Sequence, residues 1–232
     1  MLILALDTSS PAGSVAVLRG EKVIGVISTW VDETYSSRMF RHLEFLQREL
    51  ALDLKQIDLF AVAAGPGSFT GLRVGLAAAK GWAEVYQKPT AGISGLEAVA
   101  AQAHSTAQLL IPVLDAHRGE IYFAFYRRQG KALALEGEEC VMTRAEFVEA
   151  VRARAGDTEV TIVTPVPEVI AKEMSQFENF AGSVERVSTV LAPLIGQLGY
   201  ERAQQGQLSD AISLDANYIR RTDAELNWKG PA

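Results

Sequence analysis

The sequence predicts an α/β protein built from two similar halves, each with a sheet and packed helices. Two observations support this prediction: short apolar runs bounded by turn residues alternate with segments of helical periodicity, and the pattern starts again midway. In the first half, strands are predicted at residues 2–6, 14–18, 22–28 and 59–63. Helices are predicted there at residues 37–50, 70–85 and 94–104.

The second half begins with an apolar run that ends in Asp115, as the first begins with a run that ends in Asp7. Each Asp is followed by a turn with a glycine (Gly13 or Gly119) and then by another strand. We interpret this similarity as an internal repeat. Two unrelated hairpins are the alternative, because few residues are identical. The repeat divides the chain into lobes at residues 1–105 and 106–232. In the second lobe, strands are predicted at 109–115, 121–126, 132–135 and 160–163, and helices from 143 and at 190–204.

The composition is that of a globular protein, with 232 residues of which 48% are hydrophobic and 22% charged. The net charge of −6 and the scattered Lys and Arg give no broad footprint for a phosphate backbone. One cysteine, Cys140, permits neither an intramolecular disulfide nor a thiolate metal cluster. No apolar run approaches the ~18 residues of a membrane span, and no basic region precedes the first one. We therefore expect a cytoplasmic protein.

The most distinctive motif is the loop Gly65-Pro66-Gly67-Ser68-Phe69-Thr70-Gly71, between a predicted strand and a predicted helix. Glycines allow close approach there, and free amides at a helix start attract anions, so a phosphate cradle is one interpretation. However, the loop lacks the Lys-Ser/Thr ending of a P-loop and the spacing of a dinucleotide-binding loop.

The helix after this loop supports a second interpretation. Small residues, Gly71, Gly75, Ala78 and Ala79, recur at intervals of three and four and so share a face. Such a face allows another helix to pack against it at a short distance. That helix could belong to the same chain or, across a two-fold axis, to a second subunit. Arg73, Lys80 and Trp82 could anchor the contact surface.

Few residues are candidates for chemistry. Asp7 and Asp115, at the ends of strands, could hold a metal-bound water beside a phosphate, although Asp is also a common turn residue. Ser9 and Ser10 lack the Gly-x-Ser-x-Gly frame of a nucleophile. The three histidines, His42, His104 and His117, have no partner at metal-ligand spacing. We therefore predict neither a catalytic residue nor a metal site.

Four segments together resemble the bacterial TsaB (YeaZ) family in order and spacing. They are residues 4–9, residues 64–75, residues 114–122 and Tyr218-Ile219-Arg220-Arg221. The resemblance implies the actin/hsp70/sugar-kinase (ASKHA) fold, with two ribonuclease-H-like lobes of mixed sheet plus helices. It also implies a non-catalytic scaffold for transfer of a threonylcarbamoyl group to the adenosine next to the anticodon (position 37) of tRNAs that read A-starting codons.

The resemblance also implies partners. The scaffold would pair with the catalytic paralogue TsaD, bind the ATPase TsaE through that heterodimer, form a homodimer when alone, and meet tRNA only through the complex. No cofactor would be bound tightly, and ATP or ADP with Mg²⁺ would act at the level of the complex. Weak nucleotide contacts would fall on Asp7, Thr8, Ser9 and Asp115. The interface would use the dimerisation helix 70–85 and the residues Gly67, Phe69, Thr70, Gly71, Arg73, Val74, Gly75, Ala78, Ala79 and Trp82.

Some family features are missing. The His-x-x-x-His metal pair of TsaD has no counterpart between Tyr35 and His42, and Tyr35 stands where a histidine is expected in TsaB. The nearest match to a Gly-Gly adenosine loop, Gly196–Gly199, lies in a predicted helix. An ATP-dependent transferase or phosphotransferase that acts on its own is the alternative function. A metalloprotease has no support without H-E-x-x-H.

Overall fold

A computed structural model describes residues 1–30, 35–130, 132–156, 158–174 and 182–219 of the chain. The strands are β1 Leu2–Asp7, β2 Ser14–Arg19, β3 Lys22–Ser28, β4 Leu59–Gly65, β5 Thr90–Ser94, β6 Leu109–His117, β7 Glu120–Phe123, β8 Tyr126–Gln129, β9 Ala132–Leu135, β10 Cys140–Thr143, β11 Val160–Thr164 and β12 Gly182–Arg186. The helices are α1 Ser36–Glu49, α2 Phe69–Tyr86, α3 Gly95–Ala100, α4 Arg144–Ala155, α5 Ala171–Met174 and α6 Ala192–Gln204. Within these residues, no helix is both long and apolar enough to cross a membrane.

The first sheet has the strand order β3-β2-β1-β4-β5. The first three strands form an antiparallel meander, and β4 and β5 run parallel to β1. Side chains alternate across β1: Ile3 and Ala5 pack in one apolar cluster with Ile195 of α6, whereas Leu4 and Leu6 pack in another with α1. Both faces are therefore covered, which explains why β1 and β4 are nearly continuous apolar runs.

The second sheet repeats this arrangement with the path β10-β7-β6-β11-β12. Here β6, β7 and β10 are antiparallel neighbours, and β11 and β12 run parallel to β6. Each strand thus matches the strand at the same place in the first sheet. The internal repeat that the two Asp-ended strands predicted is confirmed by this shared topology, with β8 and β9 as an inserted hairpin.

The structure differs from the prediction in several elements. The predicted strand 121–126 is two strands, β7 and β8, that lie along the same edge of β6 and are separated by Ala124 and Phe125. The helix predicted to reach residue 104 ends at Ala100. The strand β5 and the short helix α5 were not predicted. The strands β10 and β12 were not predicted either. Each of these two strands has only four or five residues and no fully buried position, so its apolar signal is weak.

Two helices pack against the sheet of the other half of the chain. Helix α6, from the C-terminal half, lies on β1, β2, β4 and β5 of the first sheet. Helix α3, from the N-terminal half, lies against β6 of the second sheet. Gly196 and Gly199 face the first sheet so closely that a Cβ would lie 2.2 Å from Leu18 and 2.9 Å from Ala61. They therefore serve helix–sheet packing. The lobe boundary at residue 105 stays a prediction.

Candidate functional site

The Gly65–Gly71 motif lies at the end of β4, where three parts of the chain meet. Gly65 and Gly67 have φ angles of +126° and +156°, which L side chains rarely adopt, and the Gly65–Pro66 bond is cis. A Cβ on Gly65 would lie 2.6 Å from the Asn217 carbonyl oxygen, and one on Gly67 would lie 2.6 Å from that of Ser9. The glycines therefore permit close packing of the N-terminal turn and the C-terminal segment against this loop.

Two amides of the loop, those of Ser68 and Gly71, donate hydrogen bonds within the chain. The Ser68 amide donates to the Ser9 carbonyl at 2.8 Å, and the Gly71 amide donates to the Ser68 hydroxyl at 3.3 Å. The Leu72 amide donates to the Ser68 carbonyl. A phosphate cradle needs free amides at this place. The interpretation of the loop as a phosphate cradle therefore gains no support from its geometry.

Three residues of the small-residue face of α2, Gly71, Gly75 and Ala79, are buried in the protein. A Cβ on Gly71 would lie 2.0 Å from the Thr8 carbonyl oxygen, and one on Gly75 would lie 2.4 Å from Thr8 Oγ1. The Thr8 hydroxyl donates to the Gly71 carbonyl at 2.7 Å, and Ala79 is fully buried. The chain's own turn at Thr8 and Ser9, and the core, occupy the space beside these residues. The interface role of Gly67, Gly71, Gly75 and Ala79 stays a prediction, and this packing does not support it.

A different side of α2 faces outward. Its residues, which we call the outer face of α2, are Thr70, Val74, Ala77, Ala78, Gly81, Trp82 and Val85. Val85 is 72% exposed, and Ala77 and Gly81 are exposed as well. The ring of Phe40 from α1, itself 54% exposed, meets the Trp82 ring edge-on at 6.2 Å. The two helices together therefore present an apolar surface that retains Thr70, Val74, Ala78 and Trp82 of the predicted interface.

The turn after β1 is buried. Asp7 and Thr8 are at most 1% exposed, and Ser9 is 7% exposed. Asp7 Oδ1 accepts hydrogen bonds from the amide and the hydroxyl of Ser9, whereas Oδ2 has no partner. Burial raises the pKa of Asp7, and the two hydrogen bonds from Ser9 oppose that rise. Little surface of these three residues is therefore open to a ligand, and their predicted nucleotide contacts stay a prediction.

Tyr35 fills the space beside this turn. A Cβ on Gly13 would lie 2.2 Å from the Tyr35 ring, so the ring occupies the position above Gly13. The Tyr35 hydroxyl and His42 Nδ1 are hydrogen-bonded at 2.8 Å, and the Arg38 guanidinium lies 5.0 Å from the ring centre. Burial, followed by the Asp7 charge, raises the pKa of Tyr35. Tyr35 is therefore part of a buried polar cluster with His42 and Arg38.

Asp115, the counterpart of Asp7 in the repeat, lies in a different environment. Its side chain is exposed, and Oδ1 accepts a hydrogen bond from the His117 amide at 2.8 Å. His117 Nδ1 lies 3.3 Å from Oδ2. Across the described ranges, no group of three or more His, Cys, Asp or Glu side chains could hold a metal ion. Asp7 and Asp115 therefore belong to no such cluster among the described residues, and their predicted contact with a nucleotide stays a prediction.

The sequence did not predict a cleft of about 710 Å³ between the two halves. Glu97 from α3 and Glu139 from the loop before β10 line it, and burial raises the pKa of both carboxyls. Arg202 of α6 donates to Glu97 at 2.6 Å. Asn217 Nδ2 donates to Glu139 at 2.6 Å, and the Ser94 hydroxyl donates to the same carboxylate. The only sequence signal was Ser94-x-x-Glu97, which indicated a helix cap.

Comparisons with known proteins agree with this architecture. The family described as "TsaD: tRNA N6-adenosine threonylcarbamoyltransferase" matches residues 18–187. The protein from Bacillus subtilis named tRNA threonylcarbamoyladenosine biosynthesis protein TsaB is 26% identical over 98% of both chains. The protein of that name from Haemophilus influenzae is 39% identical over 53% of each. The structure of YeaZ from Pseudomonas aeruginosa superimposes with a TM-score of 0.77, at 23% identity over 94% of this chain and 99% of that chain.

The duplicated sheets, each with a meander followed by two parallel strands, define a protein of the actin/hsp70/sugar-kinase fold class. The chain belongs to the TsaD-type family, and within it to the TsaB (YeaZ) group.

Proposed function

We propose that this chain is a non-catalytic partner subunit in threonylcarbamoyl transfer to the adenosine at position 37 of tRNA. The exposed apolar outer face of α2 is the observation that carries the proposal, because such a surface, with Phe40 beside it, fits a protein contact. The reaction itself is proposed from the relatives, which are named as tRNA threonylcarbamoyladenosine biosynthesis proteins. The burial of Asp7, Thr8 and Ser9 agrees with a non-catalytic role, because their polar groups are almost inaccessible to a substrate.

The partner proposed for the outer face of α2 is TsaD, and a second copy of this chain would use the same face when TsaD is absent. Both partners follow from the family resemblance. TsaE would join the heterodimer, and tRNA would meet this chain only through the complex. ATP or ADP with Mg²⁺ would then act on the complex, and the burial of the Asp7 turn in the isolated chain agrees with this proposal.

The variant Ala77→Arg tests the proposed interface. Ala77 is exposed, so the fold should tolerate arginine there, but a charge in the middle of an apolar interface is costly to desolvate. We expect the dissociation constant of the complex with TsaD to rise at least about tenfold and tRNA modification by the reconstituted system to fall with it. Light scattering gives the first quantity, and mass spectrometry of tRNA nucleosides gives the second.

The matched control for Ala77→Arg is Ala145→Arg, at another exposed helical position in α4. It should leave both quantities unchanged. If Ala77→Arg binds TsaD as tightly as the unaltered protein, the outer face of α2 is not the interface.

The alternative, an ATP-dependent transferase that acts on its own, makes a different prediction. It requires Asp7 to work at an accessible site, whereas the Asp7 side chain is completely buried. We expect the isolated protein and its Asp7→Asn variant to show the same background rate of phosphate release from ATP. Turnover by the unaltered protein that Asp7→Asn removes would establish the alternative and overturn the non-catalytic role.

A further inference from the structure

One arginine on the surface is held in place by two aromatic rings. The Arg73 guanidinium carbon lies 3.7 Å from the centre of the Phe69 ring, one turn earlier in α2. Arg73 Nε donates to the Tyr218 hydroxyl at 3.1 Å, and the Phe69 and Tyr218 ring centres are 5.3 Å apart. We call these three side chains the Arg73 clamp. It restricts a side chain that would otherwise sample many rotamers, and so lowers the entropy lost when that arginine binds.

Tyr218, the third residue of the clamp, lies in the C-terminal segment, and hydrogen bonds of its neighbour Asn217 hold this segment in place. The Asn217 amide donates to the Ala64 carbonyl at 2.7 Å, and its side chain donates to Glu139 in the second half at 2.6 Å. The Asn217 carbonyl packs against Gly65, where a side chain would clash. Tyr218 is therefore positioned by contacts with both halves of the chain.

Within the clamp, most N–H donors of Arg73 form no hydrogen bond with the described residues. A guanidinium has five N–H donors, and the single hydrogen bond described for Arg73 is the one to Tyr218. Among the described residues no carboxylate forms a salt bridge with Arg73. The rings beside it remain partly accessible, Phe69 at 37% and Tyr218 at 44%. A guanidinium stacked on the Phe69 ring and held by the Tyr218 hydroxyl is suited to a carboxylate, which can accept two parallel N–H bonds from it.

We infer that the Arg73 clamp is an anchor for an acidic side chain of the partner protein, with Tyr218 as an essential part of the surface. This inference rests on the proposed function, because the clamp adjoins Thr70 and Val74 of the outer face of α2. A protein fits better than a nucleic acid here. Nucleic-acid backbones are bound by several cations. Val74, Ala77 and Val85 of the adjoining outer face of α2 are apolar, and the chain carries a net charge of −6.

Arg73→Lys is the principal test, since lysine keeps the charge but not the planar pair of donors. The dissociation constant of the complex with TsaD, measured by calorimetry at two salt concentrations, should rise about tenfold. Tyr218→Phe, which removes only the hydroxyl that orients Arg73, should give a smaller rise in the same direction. Arg19→Lys is the control, because Arg19 is exposed and pairs with Leu2 at the opposite end of the sheet.

The outcomes separate this inference from the proposed function. If Ala77→Arg weakens the complex but Arg73→Lys and Tyr218→Phe do not, the anchor is wrong and the interface stands. If none of the three weakens it, both fail. If Arg73→Lys leaves the protein complex unchanged but weakens binding of tRNA to the isolated chain, the occupant is a phosphate and the proposed carboxylate is overturned. Unchanged thermal unfolding shows that each variant is folded.

Discussion

Replacing Gly71 with alanine is expected to lower the free energy of unfolding by about 3 kcal/mol, at the upper end of the usual cost of overpacking. The new Cβ would lie 2.0 Å from the Thr8 carbonyl oxygen, a backbone atom that cannot move aside as a flexible side chain could. The turn carrying Thr8 would have to separate from α2 and would lose the 2.7 Å hydrogen bond between the Thr8 hydroxyl and the Gly71 carbonyl. Urea unfolding measures the loss.

Gly81→Ala is the matched control in the same helix. Nothing lies within 4 Å of a Cβ at Gly81, so this variant should gain the helix propensity of alanine over glycine, up to about 1 kcal/mol. The two substitutions are chemically identical and should have opposite signs. Equal effects would mean that Gly71 does not pack against Thr8 and that the small-residue face is free for a partner after all.

Asp7→Asn is expected to stabilise the protein at neutral pH by about 1 kcal/mol or more, because a buried carboxylate with one unpartnered oxygen costs more than a neutral amide of the same shape. Asparagine can keep a side-chain oxygen where Oδ1 accepts from Ser9. This gain would be unusual for a substitution at a fully buried position.

The pH dependence gives the sign of the Asp7 effect independently. Burial raises the pKa of Asp7 in the folded protein above its unfolded value of about 4. Below that pH both states hold the proton. As the pH rises, the unfolded chain releases its proton first, so the free energy of unfolding falls until the folded Asp7 ionises as well. The stability difference between Asp7→Asn and the unaltered protein should therefore grow from pH 4 to pH 7.5.

Glu97 and Glu139 also have raised pKa values because they are buried, but they titrate equally in both proteins and cancel in the difference. Asp53→Asn is the control with the opposite sign. Hydrogen bonds from Lys55 lower the pKa of Asp53, so its replacement should slightly reduce stability above pH 4. A difference between Asp7→Asn and the unaltered protein that is flat with pH would show that Asp7 is not the buried carboxyl described here.

Much of the fold could be predicted from local pattern. The strands β1, β2, β3, β4 and β6 and the helices α1 and α2 were predicted to within a few residues, because runs of apolar residues and helical spacing are local signals. The repeat was also visible, through Asp7 and Asp115. The strands β5, β10 and β12 were not predicted. β10 and β12 have no fully buried position, so their sequences resemble loops, whereas β5 has only five residues and contains Gly92.

The candidate site could be predicted less well, because its geometry depends on residues far apart in the chain. Asn217 lies 78 positions after Glu139, and Tyr218 lies 145 positions after Arg73. No short motif joins them. The cleft beside Glu97 and Glu139 was missed for the same reason. The signal present in the sequence, Ser94-x-x-Glu97, correctly indicated a helix start, but Glu97 pairs with Arg202 of α6.

The sequence by itself determined most of the secondary structure, the duplication and the family, because each follows from local spacing or from the Gly65–Gly71 motif. The tertiary structure alone decided which side of α2 is free. Small residues lie on two sides of that helix, Gly71 and Gly75 on one and Ala77 and Gly81 on the other, and spacing cannot tell which meets Thr8. The tertiary structure also decided that Asp7 is buried while Asp115 is exposed. Burial is set by the helices and turns that cover a strand end and not by the strand's own residues.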